Sequence, residues 1–175
     1  MTNWKIDPMH SEIHFKVKHM VVTTVTGSFG KFDATMESSK DDLTDAKINF
    51  EADVASINTG NTQRDGHLQS DDFFSAAKYP KLKFVSKSFK QVDGKNYKLE
   101  GDLTIKETTK PVSLDVVYGG TVKNPYNMTI AGFEMTGKIN RKDFGLNWSA
   151  ATEAGHIVVS DEVRLAINVE MSQQA

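Results

Sequence analysis

Cysteine is absent from the 175 residues, which excludes a disulfide framework and any thiolate metal site. A chain of this length can bury roughly 70% of its unfolded surface, so one domain spanning 1–175 needs no such staples. Imbalance of charge is also missing. Lys+Arg total 21 against 23 Asp+Glu, a formal net charge of −2 with no long run of either sign. Such a surface carries no electrostatic footprint for nucleic acid. No stretch approaches the ~18 apolar residues of a membrane-spanning helix, so no transmembrane segment is expected. Residues 1–7 lack an apolar core and a small-residue cleavage site, so a chain that natively starts at Met1 is expected to be cytoplasmic. Repeats, low-complexity tracts and linkers are absent. So are a Gly-x-Ser-x-Gly elbow and a phosphate-binding glycine loop, since Gly119-Gly120 fits neither fingerprint.

What is present is a period of two. Ile13, Phe15 and Val17 alternate with His14, Lys16 and Lys18, the pattern of a half-buried strand. The same alternation runs through Ile48–Val54, Tyr97–Ile105, Val112–Tyr118, Phe133–Ile139 and Val163–Met171. A longer strand from about Val22 to Met36 changes phase at Gly30, as a bulge requires. With Leu82 and Phe84 the total is about eight strands. Asp93-Gly94 is a hairpin signal, and Gly119-Gly120 with Asn124-Pro125 should break the chain before the next long strand. Alternation vanishes only between Asn61 and Lys78. There two short helices are expected, Thr62–Leu68 and Asp71–Ala77, stopped by Pro80.

Clean alternation gives each strand one dry face, and about eight antiparallel strands of this kind form either a sandwich or a closed barrel. Small residues on the dry face (Gly27, Ala52, Gly101, Gly137) leave space among large neighbours, which favours a barrel with a lumen. Glycine in a strand also marks bulges and bends, so the pattern alone leaves both architectures open.

Several strings together resemble a known family. They are Trp4-Lys5-Ile6-Asp7, His10-Ser11-Glu12-Ile13-His14-Phe15, Gly27-Ser28-Phe29, and Arg64-Asp65-Gly66-His67-Leu68-Gln69-Ser70 leading to Tyr79-Pro80. Gly101-Asp102-Leu103-Thr104-Ile105, Thr109-Lys110-Pro111-Val112 and Arg141-Lys142-Asp143-Phe144-Gly145 follow in order. In order and spacing the chain resembles the YceI-like family from Trp4 to Glu170. The resemblance implies an all-β, lipocalin-like, eight-stranded antiparallel barrel with a short helical insertion around 61–78. It also implies a tunnel for an isoprenoid chain such as a quinone or polyprenyl tail, no catalytic residues, and no cofactor beyond that bound lipid. Glu107 and Ser160 stand where the family commonly has glycine, which puts two turns in doubt.

An isoprenoid tail has no hydrogen-bonding groups, so its site needs apolar, adaptable walls. The wall expected is Phe15, Val17, Phe29, Phe50, Phe84, Leu103, Ile105, Val116, Phe133, Met135 and Trp148; the competing view is that these are ordinary core residues. Arg64 and His67 are the candidates for a lipid head group, or else Arg64 and Asp65 merely fasten the helical insertion. No metal site is expected. His14 and His19 have opposite parity, and His10 with His14 lacks an assured third ligand; His67 and His156 complete the set. Ser11 beside His10 is no dyad, because adjacent strand residues point apart. Asp71-Asp72 fits a helix start better than an acid pair. The leading expectation is a non-enzymatic lipid carrier or store. The alternatives are a small hydrolase or isomerase acting on an amphipathic substrate, and a ligand-free stress-related scaffold. An unpaired seam or strand edge would allow a homodimer, although no residue demands one.

Overall fold

The computed structural model describes residues 1–149 and 158–175. Its strands are β1 (Thr2–Ile6), β2 (Glu12–His19), β3 (Thr23–Phe29), β4 (Phe32–Ser38), β5 (Lys47–Asp53), β6 (Ile57–Asn58), β7 (Lys81–Asp93), β8 (Asn96–Ile105), β9 (Thr108–Lys123), β10 (Thr129–Asn140) and β11 (Val159–Gln173). One helix, α1 (Thr62–Gln69), follows β6. All pairings are antiparallel, and β11 pairs with both β10 and β1, which closes the sheet.

Eight staves make the barrel because three of them are bent. β1 and β2 face β4 and β3 as two halves of one stave, and β4 and β3 face β5 and β6 in the same way. Each bend has a local cause. Between β1 and β2, Pro8–His10 forms a 3-10 turn whose cap is the Asp7 carboxylate, accepting from Met9 N at 3.0 Å. At the second bend Gly30 N donates to Ser56 O, and Asp53 N donates to Lys31 O. Phase therefore changes at Gly30, where the sequence predicted it. The first strand, with only Trp4 and Ile6 buried, is too short for alternation to announce.

Three local expectations are corrected. Residues 71–77 are successive turns and not a second helix. Ser75 adopts a left-handed φ of 51°, Ser75 N donates to Ser70 O, and the adjacent Phe73 and Phe74 both reach the interior, which a helix would splay apart. Gly119-Gly120 does not end its strand. Pairing passes from Phe133↔Tyr118 to Gly132↔Gly120, so Gly119 is the extra residue of a bulge and β9 runs on to Lys123. The chain turns at 124–128, as Asn124-Pro125 predicts, with Asn124 Oδ1 accepting from Tyr126 N and Met128 N. Third, the two positions where glycine is usual are met without it. The β8–β9 turn places its left-handed residue at Lys106 (φ 57°), leaving Glu107 to accept from the Tyr79 hydroxyl. Ser160 Oγ accepts from Lys18 N at 3.1 Å and donates to Glu162 O, filling the gap where the β2–β11 register shifts.

The two ends of the barrel differ. The hairpin end carries the 93–96 and 123–129 turns and the 38–47 loop. That loop plugs the barrel with Leu43, only 3% exposed, and is held by Tyr97 Oη donating to Asp42 O. Asp45 organises it by accepting from Ser38 Oγ, Ser39 N and Lys40 N, which holds its carboxyl below the usual range, the Ser38 hydroxyl contributing most. Stacked rings fill the space beneath: Phe89 on Tyr97 at 4.8 Å and Tyr118 on Phe133 at 5.2 Å. The helical end carries α1, the 71–80 turns, the β2–β3 turn, the β8–β9 turn and the residues after β10.

Candidate functional site: an apolar lumen

Inward-facing residues of every stave surround a cavity of about 220 Å³. Among the described residues thirty of the thirty-one that line it are apolar, and of these thirty-one Arg141 alone could orient a polar substrate. Exposure of the lining locates the mouth. At the hairpin end Met36, Phe89, Leu99, Leu114 and Met171 are buried, whereas Phe15, Val17, Leu68, Phe74, Val159 and Val163 at the helical end are half-exposed.

The glycines on the dry face act differently from the expectation that they leave empty space. A Cβ on Gly27 would stand 2.3 Å from the ring of Phe15, and one on Gly101 would stand 2.5 Å from the ring of Phe84. On Gly137 it would meet Leu114 Cδ2 at 2.5 Å. The space is already filled by a large neighbour lying back against the sheet. Each glycine thereby keeps a side chain out of the lumen centre, and the void sits between the reclining rings.

Nine of the eleven expected wall residues line this cavity: Phe15, Val17, Phe29, Phe50, Phe84, Leu103, Ile105, Phe133 and Met135. Val116 and Trp148 do not. Val116 points inward as its parity requires, but at 1% exposure it is packed beneath the aromatic plug of the hairpin end. Trp148 lies one layer outside the wall, against Phe73 at 5.4 Å and His67 at 5.0 Å. The sequence reading missed Phe73, Phe74 and Leu68, which lie where periodicity disappears. It also missed Ile13, Ile139, Leu165 and Ile167, which their strand parity would have supplied.

Arg141, 3% exposed, stands at the mouth end of the lining and organises it. Its Nε donates to Ser160 O at 2.9 Å, and one terminal nitrogen donates to both Leu146 O and Trp148 O at 2.6 Å. The other terminal nitrogen lies 3.4 Å from Val159 O and 3.6 Å from the Asp161 carboxylate. Burial pushes this guanidinium down from its ordinary value, and Asp161 opposes that push. A planar five-donor group suits this task, because it ties the chain after β10 to the start of β11 through several backbone carbonyls at once, with the Asp161 carboxylate beside it.

The head-group candidates face away from such a role. Arg64 turns back on its own insertion, Nε donating to Thr59 Oγ1 at 2.8 Å and a terminal nitrogen to Thr59 O at 2.7 Å. Asp65 accepts from Thr59 N and the Thr59 hydroxyl, so Arg64 and Asp65 grip the same residue and fasten α1 to β6. Arg64→Ala is therefore expected to cost roughly 1–2 kcal/mol of stability in denaturant titration, with tail binding unchanged in the folded fraction. Loss of binding at full stability would place Arg64 at the ligand instead. His67 sits edge-on to Phe73 and Trp148 with Nε2 2.8 Å from Asp72 Oδ2. It braces the rim and does not line the cavity.

Of the other histidines, His14 turns to Glu12. His10 pairs with Asp7, and that pair together with Glu170 brings one ligand-type atom each within 4.8 Å outside the lumen. His156 lies outside the described residues. No described helix is long and apolar enough to cross a membrane.

Known proteins show the same pattern over the same length. The model of the YceI-like domain matches residues 4–171. A UPF0312 protein of Staphylococcus aureus (strain MSSA476) is 38% identical over 98% of both chains. Among solved structures, the Campylobacter jejuni YCEI protein is 35% identical and superposes with a TM-score of 0.77, covering 90% of each chain. A polyisoprenoid binding domain from Saccharophagus degradans, implicated in plant cell wall breakdown, superposes with a TM-score of 0.68 over 98% of each chain; at 16% identity it shares the fold alone. A closed eight-stave barrel around an apolar lumen, with family similarity running along nearly the whole chain, makes this protein a member of the YceI-like family.

Proposed function

We propose that this protein binds an amphipathic lipid by its isoprenoid tail, of quinone or polyprenyl type, and carries or stores it without chemical change. The observation that supports the reading most is the lining, in which every described residue except Arg141 is apolar. A branched hydrocarbon asks for such a surface, and a hydrolase or isomerase would need an acid, base or nucleophile within it. Arg141 offers none of these, because a guanidinium holds its proton and every donor is directed at a carbonyl or at Asp161. The polyisoprenoid binding of the Saccharophagus degradans domain, on the same fold, points in the same direction.

Volume limits what the lumen can hold. An apolar cavity of ~150 Å³ accepts benzene, so 220 Å³ corresponds to about ten carbons, or two isoprene units. At ~0.8 kcal/mol per carbon the gross gain is roughly 8 kcal/mol, and association costs of ~4–15 kcal/mol offset most of it. A longer tail must therefore displace adaptable side chains such as Met135 or leave its remainder at the mouth. Calorimetric titration with prenol, geraniol, farnesol and geranylgeraniol tests this. Affinity is expected to rise steeply from prenol to geraniol and to flatten beyond farnesol. A response independent of chain length would remove the lumen as the binding site. Native mass spectrometry of freshly purified protein, with extraction of any copurified isoprenoid or quinone, identifies the cargo directly.

A further inference from the structure

One tip of the barrel breaks two rules at once. The β2–β3 connection is a tight turn in which Val22 N donates to His19 O, with Met20 at φ 56° and Val21 at φ 68°. Left-handed conformations at both central positions define the hairpin turn that favours Asn-Gly, and a β-branched residue there is strained. The 93–96 hairpin obeys the rule with Gly94 at φ 46°. At the β2–β3 tip the chain instead places apolar side chains in unfavourable backbone conformations and exposes them: Val21 is 60% and Val22 80% exposed. Sequences that sacrifice local preference and solubility at one spot do so where function asks for it.

The location supplies the reason. The tip continues the rim of the lumen directly. Met20 N donates to Val158 O at 3.0 Å, His19 pairs with Val159, and both Val17 and Val159 line the cavity. On the outer face of the same strand, Lys16 and Lys18 are exposed, and among the described residues neither forms an ion pair. Apolar residues at a rim with lysines a few residues behind match the layering of an anionic bilayer, hydrocarbon first and phosphate next.

We propose that the Met20–Val22 tip inserts into an anionic lipid bilayer, setting the mouth against the membrane so that a prenyl tail passes between bilayer and lumen without crossing water. This rests on the tail-binding reading above. The test uses vesicles of phosphatidylcholine and phosphatidylglycerol in equal parts, with geranylgeraniol as the probe. The wild-type protein should float with the vesicles, less so in high salt. Met20→Asn combined with Val21→Gly, which restores the preferred turn, should raise the melting temperature, lower vesicle binding by roughly tenfold or more, and leave uptake of geranylgeraniol from detergent unchanged. Tyr126→Ser with Met128→Ser, which alters the exposed apolar turn at the opposite end, should float like wild type.

Flotation of the turn-restored variant at wild-type level overturns the inference, as does loss of flotation in the Tyr126/Met128 variant alone. Loss of detergent uptake together with vesicle binding would make the tip part of the lumen and also overturn it. If wild-type protein takes up the probe from detergent yet never floats, docking fails and the tail-binding reading stands. If it does neither, both fail. Concentration-dependent dimerisation lost in the turn-restored variant, without flotation of the wild type, would assign the tip to a second copy.

Discussion

Gly27→Ala is expected to weaken tail binding by tenfold or more while the barrel stays folded. The added Cβ would stand 2.3–2.8 Å from three atoms at the far end of the Phe15 ring, all of them side-chain atoms. That ring is half-buried and lines the lumen, which is the side on which it has room to move. Rotating it off the sheet moves a phenyl group into a cavity of about 220 Å³, near Phe29, whose ring lies 5.6 Å away. Overpacking of this kind costs roughly 1–3 kcal/mol, partly offset by the strand preference for Ala over Gly of ~0.5–1 kcal/mol. Melting temperature should therefore move little while the geraniol titration collapses. Phe15→Leu in the Gly27→Ala background should restore binding, because the shorter side chain clears both the new methyl and the lumen. A double-mutant cycle with no coupling between the two positions would show that Phe15 does not carry the effect. Gly101 is the contrast. Its Cβ would meet Val85 O at 2.4 Å as well as the Phe84 ring. Since backbone cannot swing aside, Gly101→Ala should unfold the barrel before it narrows it.

Arg141→Ala should cost roughly 3–5 kcal/mol, because it strips donors from carbonyls of Leu146, Trp148 and Ser160 in a buried setting. For a chain of this size that corresponds to a fall in melting temperature on the order of 10 °C. Local loosening should precede global unfolding. Amide exchange at residues 146–149 and 159–161 is expected to rise while β8 and β9 remain protected. Arg141→Lys should recover only part of the loss, since an ammonium group cannot span carbonyls on two segments. If Arg141→Ala melts like wild type but binds no prenyl alcohol, the side chain contacts ligand and its carbonyl clamp is incidental.

The barrel was legible because its residues alternate. Ile13/Phe15/Val17 and Phe133/Met135 declare their inward faces by parity, and a family of strings from Trp4 to Glu170 settled sandwich against barrel where periodicity could not. Val116 shows the limit of that reading. Parity tells which side of the sheet a residue occupies but not its height along the axis, so a plug residue and a wall residue look alike. Phe73 and Phe74 lie in turns without a period, and only tertiary packing turns them inward. The dry-face glycines suggest space because sequence records the missing side chain and not the neighbour that reclines over it. Arg141 opens the string Arg141–Gly145, yet nothing local announces that a guanidinium in a 3-10 turn will reach carbonyls as far along the chain as Ser160.

The partners of β11 bear on how the molecule is assembled. That strand joins β10, the second half of the first stave and, at its far end, the first half, with Trp4 opposite Gln173. During synthesis β11 leaves the ribosome after every strand that it joins. Until then β1 and β2 wait as an open edge, with the lumen surface of the nascent sheet uncovered. Ring closure joins positions nearly a full chain length apart, so it belongs to the slow class of folding events. In such an intermediate the apolar wall of the lumen is the surface most in need of cover. A prenyl compound present while the chain folds would then act on yield as well as on occupancy.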